Sequence, residues 1–330
     1  MKIGFIGASV TAQDFNYQTK EVVGYREILS LKLRLNLNLM CFKNFSYPGN
    51  RLSDAGLVKL QEVIESKPDI CLVEPLIEDS TRGVEATMDE IYYFYATLLT
   101  NNIYPVTIFL PNPKSGHCRD WINYDNLKNI NIELNIPIIE LDFQEPIDST
   151  YVNGVHTTNK GAILYGEEIY NQFYSIVKNG IPKCELPKKT SDNVFVTRLA
   201  GTSNNEILLG KVLLQGQGNI KIVQKSKIGP HTPVLKYTIG NKSLSTGNEV
   251  CLWDPYCHYV RGAYSILLPK IKLSNSPLEL IFSISNTLPD YVKCRRDGII
   301  WPGSSELYLS PLQDAYIISD NKIKVSLIPH

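Results

Sequence analysis

The first eleven residues read MKIGFIGASVT, in which the apolar run from Ile3 to Ile6 has the length of a buried strand. Gly7 and Ser9 follow directly, where a strand would turn into a helix. An opening of this kind is typical of nucleotide-binding domains, but it also occurs in enzymes whose serine is a nucleophile. The rest of the chain has to distinguish between these two interpretations.

Strand-like and helix-like patterns alternate five times between residue 1 and about residue 180. The predicted strands are 2–6, 39–44, 70–74, 104–109 and 137–141. The predicted helices are 21–35, 54–66, 85–101, 121–134 and 159–177. Because crossovers of this length must pack back onto the sheet, the alternation predicts an α/β fold with a doubly wound, parallel, five-stranded sheet.

The pattern changes near Gly180, where proline, glycine and charged residues indicate a linker. Beyond it the apolar runs are short and separated by turn signals. Predicted strands are 194–199, 207–214, 220–224, 234–239, 264–268, 278–284, 306–309, 315–318 and 322–327. We therefore predict an α/β domain at 1–180, a linker at 181–192 and an all-β, sandwich-like or jelly-roll-like accessory or substrate-binding domain at 193–330.

The charge balance argues against two classes of partner. Lysine plus arginine equals aspartate plus glutamate, at 33 each, so no overall field favours nucleic acid or an anionic membrane. The seven cysteines are odd in number and scattered, as expected of reduced thiols in the cytoplasm. We expect a cytoplasmic protein with no metal and no cofactor, and the oligomeric state stays open.

The nucleotide interpretation requires the spacing Gly-x-Gly-x-x-Gly, whose second and third glycines admit the pyrophosphate and the close helix. Counting from Gly7, those positions hold Ser9 and Ala12. Two of the three steric requirements therefore fail.

The nucleophile interpretation requires a base for the serine. His156 stands between the fifth predicted strand and the helix predicted at 159–177. In a parallel sheet, residues that follow the strands lie at one edge, where ligands bind. We therefore expect Ser9 and His156 at the same edge.

The pair Gly7-Ala8-Ser9-Val10-Thr11 and Gly154-Val155-His156 resembles the SGNH (GDSL-type) hydrolase family over residues 1–178. The resemblance implies a flavodoxin-like sheet and serine ester hydrolase or O-acyltransferase chemistry, with Ser9 as nucleophile and His156 as base. The stretch 44–49 resembles the second family block, which implies that the N–H groups of Ser9 and Gly49 form the oxyanion hole.

Two positions depart from the family pattern. The stretch 73–79 lacks the asparagine expected after the third strand, and Asn153 stands where the family has aspartate. Asn153 can still accept a hydrogen bond from the His156 imidazole, although it carries no charge. Glu74 and Asp148 are candidate substitute carboxylates.

The resemblance implies an acyl ester as substrate, and the β-rich module together with the habits of the family suggests an O-acetylated carbohydrate or surface-glycan precursor. His117, Arg119 and Trp121 follow the fourth strand and line either a substrate pocket or a polar surface loop. The aromatic stretch 253–261 fits either a sugar-binding surface or a core. Two alternatives remain, a catalytically degenerate binding protein with the same fold and a nucleotide-dependent enzyme.

Overall fold

The computed structural model describes residues 1–16, 19–37, 41–81, 88–186, 194–199, 211–228, 234–241, 244–251, 261–274, 276–284 and 314–328. The chain divides into two compact units, Met1–Ser191 and Asp192–His330.

Short strands and helices alternate along the first unit. Its strands are β1 (Lys2–Gly7), β2 (Phe15–Asn16), β3 (Glu21–Val22), β4 (Cys41–Asn44), β5 (Ile70–Glu74), β6 (Tyr104–Phe109), β7 (Ile138–Glu140), β8 (Val152–Asn153) and β9 (His156–Thr157). Its helices are α1 (Ser9–Ala12), α2 (Tyr25–Leu37), α3 (Leu57–Ser66), α4 (Leu76–Thr81), α5 (Met88–Thr100), α6 (Tyr124–Glu133) and α7 (Asn159–Lys178), and a π-helical turn, Leu52–Gly56, precedes α3.

Among the described residues, five of these strands form one parallel sheet in the order β4-β1-β5-β6-β7. The order places β1 and β5 side by side, with Gly7 opposite Glu74 at their carboxyl ends. This is the doubly wound, flavodoxin-like arrangement that we predicted, with the strand order switching direction beside β1.

Helices cover both faces of this sheet. On one face α2 and α7 pack together, and their apolar side chains form a buried cluster with those of the strands. On the other face the buried hydroxyl of Thr107 in β6 joins two helices, since Tyr95 of α5 lies 2.8 Å from it and Asn131 of α6 accepts from it at 2.5 Å. Because each of these buried polar groups has a partner, the hydrogen bonds offset the cost of removing the groups from water.

Gly7 has to be a glycine for packing reasons. A Cβ atom built on it would lie 2.3 Å from Thr11 Oγ1 and 3.0 Å from Glu74 Cβ. The missing side chain lets β1, α1 and β5 approach one another closely. The end of β1 is therefore closely packed at the carboxyl edge of the sheet.

Several local elements differ from the prediction, among them the start of α2 and the short helix α4. Helix α2 begins at Tyr25 and not at residue 21, because Glu21–Val22 pairs with Phe15–Asn16 in a small hairpin. Helix α4 was not predicted at all. It has six residues, too few to display a helical period.

Much of the predicted linker belongs to the first unit. Tyr104 Oη donates to the carbonyl of Pro182 at 2.6 Å, Asn135 Nδ2 donates to that of Lys183 at 2.7 Å, and Glu185 N donates to that of Leu134 at 2.9 Å. These bonds hold the chain against the first unit beyond the end of α7.

The second unit is all-β within its described ranges. Its strands are β10 (Phe195–Leu199), β11 (Lys211–Gln215), β12 (Gly218–Ile228), β13 (Val234–Asn241), β14 (Leu244–Cys251), β15 (Arg261–Leu273), β16 (Leu278–Ile284), β17 (Asp314–Ser319) and β18 (Lys324–Ile328). They form two antiparallel sheets, ordered β10-β17-β12-β15 and β14-β13-β16-β11-β18. The prediction of a second, sandwich-like β domain is confirmed.

Several details of the second unit depart from the expected strands. Strand β14 was missed, and β12 and β15 are longer than predicted. The strand predicted at 306–309 and most of the aromatic stretch 253–261 lie outside the described residues. The core is carried by alternating apolar side chains, for example Val212 and Leu214 of β11.

Candidate active site

Ser9 is the first residue of α1 and stands directly after the carboxyl end of β1. Its side chain does not cap the helix, since Ala8 occupies the N-cap position. Two residues on, the buried Thr11 hydroxyl lies 2.9 Å from the Tyr25 hydroxyl. A buried hydrogen bond between Thr11 and Tyr25 therefore holds the turn against α2, while Ser9 itself is only half-buried.

The loop after β4 runs alongside the end of β1. Phe45 N donates to the carbonyl of Phe5 at 2.8 Å, and Tyr47 N donates to that of Gly7 at 2.9 Å. Two residues later Gly49 has a φ of 71°, a left-handed conformation that favours glycine. The loop that we assigned to the oxyanion hole is therefore attached to the strand that carries Ser9.

Glu74 ends β5 beside this turn and is 1% exposed. Its Oε1 accepts hydrogen bonds from the N–H groups of Leu76 and Ile77, both at 3.0 Å, so the carboxylate caps α4. Burial raises the pKa of Glu74 to about 7, although these two N–H groups and that of Ala8 favour the ionised form. The observed contacts give Glu74 a structural task, and its role as a substitute carboxylate stays a prediction.

His156 lies on a short hairpin made of β8 and β9. In the register of this hairpin Asn153 is the direct partner of His156, and Gly154 takes the turn with a φ of 65°. Directly opposed side chains in an antiparallel pair lie on the same face and within contact distance. The amide of Asn153 and the imidazole of His156 are thus neighbours, and both residues are exposed.

The hairpin packs against the serine turn. Strand β9 contacts α1, and the side chain of Gln13, at the end of α1, bonds to both backbone groups of Thr157. The chain therefore brings Ser9 and His156 to the same edge of the sheet, as their positions after strands predicted.

The remaining predicted site residues differ in burial and in their contacts. The Asp148 carboxylate accepts from Thr150 N at 2.6 Å and holds the turn that leads into β8. In the loop after β6, Trp121 donates its indole N–H to the Leu110 carbonyl at 3.0 Å and packs against the core, while His117 is half-buried and Arg119 is exposed. Trp121 therefore anchors the loop, and its contribution to a pocket stays a prediction, as do those of His117 and Arg119.

No group of three or more potential metal ligands occurs within the ranges that the structure describes. In those same ranges, no helix has both the length and the apolar character needed to cross a bilayer.

Known proteins resemble this chain in structure but not in sequence. No family model matches the chain, and no curated protein sequence matches it significantly. Among solved structures, a two-domain esterase (CEX) active on acetylated mannans superposes with a TM-score of 0.63 at 11% identity, covering 98% of this chain and 92% of that one. Its form co-crystallized with mannopentaose gives 0.62 at 12% identity, covering 98% and 91%.

The likeness to CEX shows a shared two-domain fold, and the parallel sheet within residues 1–178 has the arrangement that the SGNH resemblance implies. An acetyl xylan esterase, AlAXEase, also matches, covering 52% of this chain and 98% of its own, with a TM-score of 0.42 at 16% identity. At such identities the likeness concerns architecture, and it extends over both units in the case of CEX.

The end of β5 departs from the pattern that the family resemblance implies. The family resemblance implies an asparagine donor in this region, whereas this chain continues through Pro75 into α4 with Glu74 as its cap. The third oxyanion donor of the family therefore has no counterpart of the same residue type in the stretch 73–79.

Sequence reasoning missed Gln13 and Thr157. Their side-chain and backbone groups meet across 144 positions of sequence, and neither residue belongs to a motif of the resemblance. The available signal was positional, because Gln13 follows the serine turn and Thr157 follows the histidine.

Proposed function

We propose that this protein is a serine ester hydrolase that removes acyl groups, with Ser9 as nucleophile and His156 as general base. The observation that carries the proposal is the packing of α1, which begins with Ser9, against β9, which begins with His156. The SGNH fold and the architecture shared with CEX, an esterase, support it.

In the first half of the reaction, Ser9 Oγ attacks the carbonyl carbon of the ester while His156 takes the hydroxyl proton. The tetrahedral intermediate collapses, His156 returns that proton to the departing alkoxide, and the acyl group remains on Ser9. In the second half, water gives a proton to His156 and attacks the acyl carbon. The bond between that carbon and Ser9 Oγ then breaks, His156 returns the proton to Oγ, and the carboxylic acid leaves.

The oxyanion would be held by two backbone N–H groups, those of Ser9 and Gly49. The hydrogen bond from Tyr47 to the Gly7 carbonyl supports this assignment, because it fixes the Gly49 loop beside the nucleophile turn. Losing one donor typically costs about 3 kcal/mol of transition-state stabilisation. We therefore expect a slower enzyme than one with the family asparagine.

Asn153 is the group that would orient His156, since it is the cross-strand partner of the histidine. Its amide oxygen can accept the second imidazole N–H and so select the tautomer whose free nitrogen faces Ser9. Unlike aspartate, it cannot stabilise the imidazolium by charge.

The substrate we propose is an O-acetyl ester on a carbohydrate or surface-glycan precursor. CEX is active on acetylated mannans and, like this chain, carries two domains. Transfer of the acyl group to a sugar hydroxyl would use the same residues, with the acceptor taking the place of water. In that case the protein would be an O-acyltransferase.

Turnover of p-nitrophenyl acetate and release of acetate from acetylated manno-oligosaccharides test the proposal. We expect activity in the wild type, loss in Ser9→Ala and full retention in Ser175→Ala, an exposed serine on α7. Equal activity of wild type and Ser9→Ala would reject Ser9 as nucleophile. Acetyl transfer only in the presence of a sugar acceptor would establish the acyltransferase.

A second candidate is a binding protein that keeps the fold without catalysis. The neutral Asn153 and the engagement of Glu74 as a helix cap favour it. Calorimetry with an acetylated oligosaccharide distinguishes it, because a binding protein gives saturable heat with no acetate released.

A further inference from the structure

Gln13 connects the serine turn to the histidine hairpin. Its backbone N–H closes α1 by donating to the carbonyl of Ser9 at 3.1 Å. It therefore follows the nucleophile by one helical turn, and its own position depends on that of Ser9.

The side chain of Gln13 reaches the residue that follows the histidine. Gln13 Nε2 donates to the Thr157 carbonyl at 3.1 Å, and Thr157 N donates to Gln13 Oε1 at 3.0 Å. The amide thus pairs with both backbone groups of one residue, as a neighbouring strand would. Because two bonds join the amide to one residue, they fix its orientation as well as its distance.

Thr157 is held from a second side as well. Its hydroxyl donates to the carbonyl of Val23 at 2.6 Å, and the residue is 4% exposed. By contrast, His156 and Asn153 are exposed. A two-stranded hairpin of this size is at best marginally stable alone. The placement of the imidazole thus depends on Thr157, and that of Thr157 on Gln13.

We propose that Gln13 is a positioning residue that sets the His156 imidazole relative to the Ser9 hydroxyl. The proposal rests on the function proposed above, since it concerns the same serine and histidine. Gln13 touches neither reacting atom and acts through the backbone of Thr157. A misplacement of about 1 Å between reacting groups can cost about 100-fold in rate.

Two variants remove different parts of the contact between Gln13 and Thr157. Gln13→Met keeps the length of the side chain and removes both bonds, whereas Gln13→Glu keeps an acceptor for Thr157 N and loses the donor. Asn159→Leu is the matched control. Asn159 Nδ2 donates to the Val22 carbonyl at 2.9 Å, next to the Val23 carbonyl that Thr157 contacts, but this bond does not involve β9.

Ester kinetics provide the first measurement. We expect kcat to fall about 10- to 100-fold in Gln13→Met and less in Gln13→Glu, with KM changed less than about twofold. Asn159→Leu should keep the wild-type kcat. If Gln13→Met does not fold, Gln13→Glu carries the comparison.

The second measurement does not require catalysis. The ring nitrogen shifts of His156, measured by NMR, should respond to Ser9→Ala in the wild-type background and should no longer respond in the Gln13→Met background. Retained coupling together with wild-type kcat in Gln13→Met would overturn the role of Gln13. If the wild type shows this coupling and its loss in Gln13→Met, but no ester turnover, the proposed function fails while the positioning role stands.

Discussion

The two halves of the candidate site are built by different forces. The serine side is embedded in the fold, with Thr11 and Tyr25 fully buried and bonded beneath it and Glu74 packed against Gly7. The histidine side is an exposed hairpin whose Gly154 has no neighbouring atom within 4 Å of an added Cβ. Close packing sets the position of the nucleophile, and a few hydrogen bonds set that of the base.

This contrast has a thermodynamic consequence. A substitution in a packed region changes the stability of the whole unit, because neighbouring atoms cannot move aside without loss. A substitution in an exposed hairpin mainly changes local geometry. Changes on the serine side should therefore appear in unfolding experiments, and changes on the histidine side should appear in kinetics.

The largest expected effect is that of His156→Ala. Removing the general base should lower kcat/KM for p-nitrophenyl acetate about 10³-fold, with the free energy of unfolding unchanged because the residue is exposed. Lys160→Ala, an exposed change four residues later, is the control and should retain wild-type kinetics. A loss of less than fivefold in His156→Ala would remove the histidine from the mechanism.

On the serine side, Glu74 should make the stability depend on pH. Its pKa is raised from 4.5 to about 7, so between these values the folded state holds a proton that the unfolded state has released. Stability should then fall by about 3 kcal/mol as the pH rises through this window, and the loss should be complete above it. Denaturant unfolding at about pH 4.5 and about pH 8 measures the difference.

Glu74→Gln is the matched variant for that measurement. Its amide oxygen can still accept from Leu76 and Ile77, but the side chain does not titrate. Its pH dependence should lack this decrease. Identical pH profiles of the variant and the wild type would show that Glu74 keeps an ordinary pKa.

The same glycine-to-alanine change can be made on both sides. Gly7→Ala should lower the free energy of unfolding by about 3 kcal/mol, because the new Cβ would lie 2.3 Å from Thr11 Oγ1. Gly154→Ala has open space and pays only for its φ of 65°, about 1 kcal/mol. Thermal and denaturant unfolding of both variants test this order, and its reversal would contradict the packing contrast.

The smallest kinetic effect concerns Asn153, the cross-strand partner of the histidine. Asn153→Asp introduces a carboxylate beside the imidazolium that forms during the reaction, and it should raise kcat about tenfold, a gain limited by solvent screening at an exposed site. Steady-state kinetics across pH would show it. No gain, or a loss, would mean that Asn153 does not orient His156.

Sequence patterns were sufficient for the elements of the sheet. The bounds of β5 and β6 agree with the predicted 70–74 and 104–109, because each is a short and mostly apolar run of strand length. Helix α7 begins as predicted at Asn159, where Thr158 caps it. Helix α4 is too short to show a period, and the β2–β3 hairpin competes with the predicted first turn of α2.

The sequence predicted only the part of the site that follows from the parallel direction of the strands. The positions of Ser9 and His156 after strands placed both at one edge, because parallel strands share their carboxyl ends. The pairing of Gln13 with Thr157 was not accessible, since it depends on side-chain geometry between segments 144 positions apart. The helix-capping role of Glu74 likewise depends on a helix that the sequence did not reveal.

Labelling with a serine-directed fluorophosphonate tests the central claim most directly. The reagent requires an activated serine and no acceptor or natural substrate, so it serves hydrolase and acyltransferase alike. We predict one adduct per chain, mapped to Ser9 by peptide mass spectrometry, absent in Ser9→Ala and strongly slowed in His156→Ala. No adduct in the wild type, or an adduct that persists in Ser9→Ala, would contradict the account.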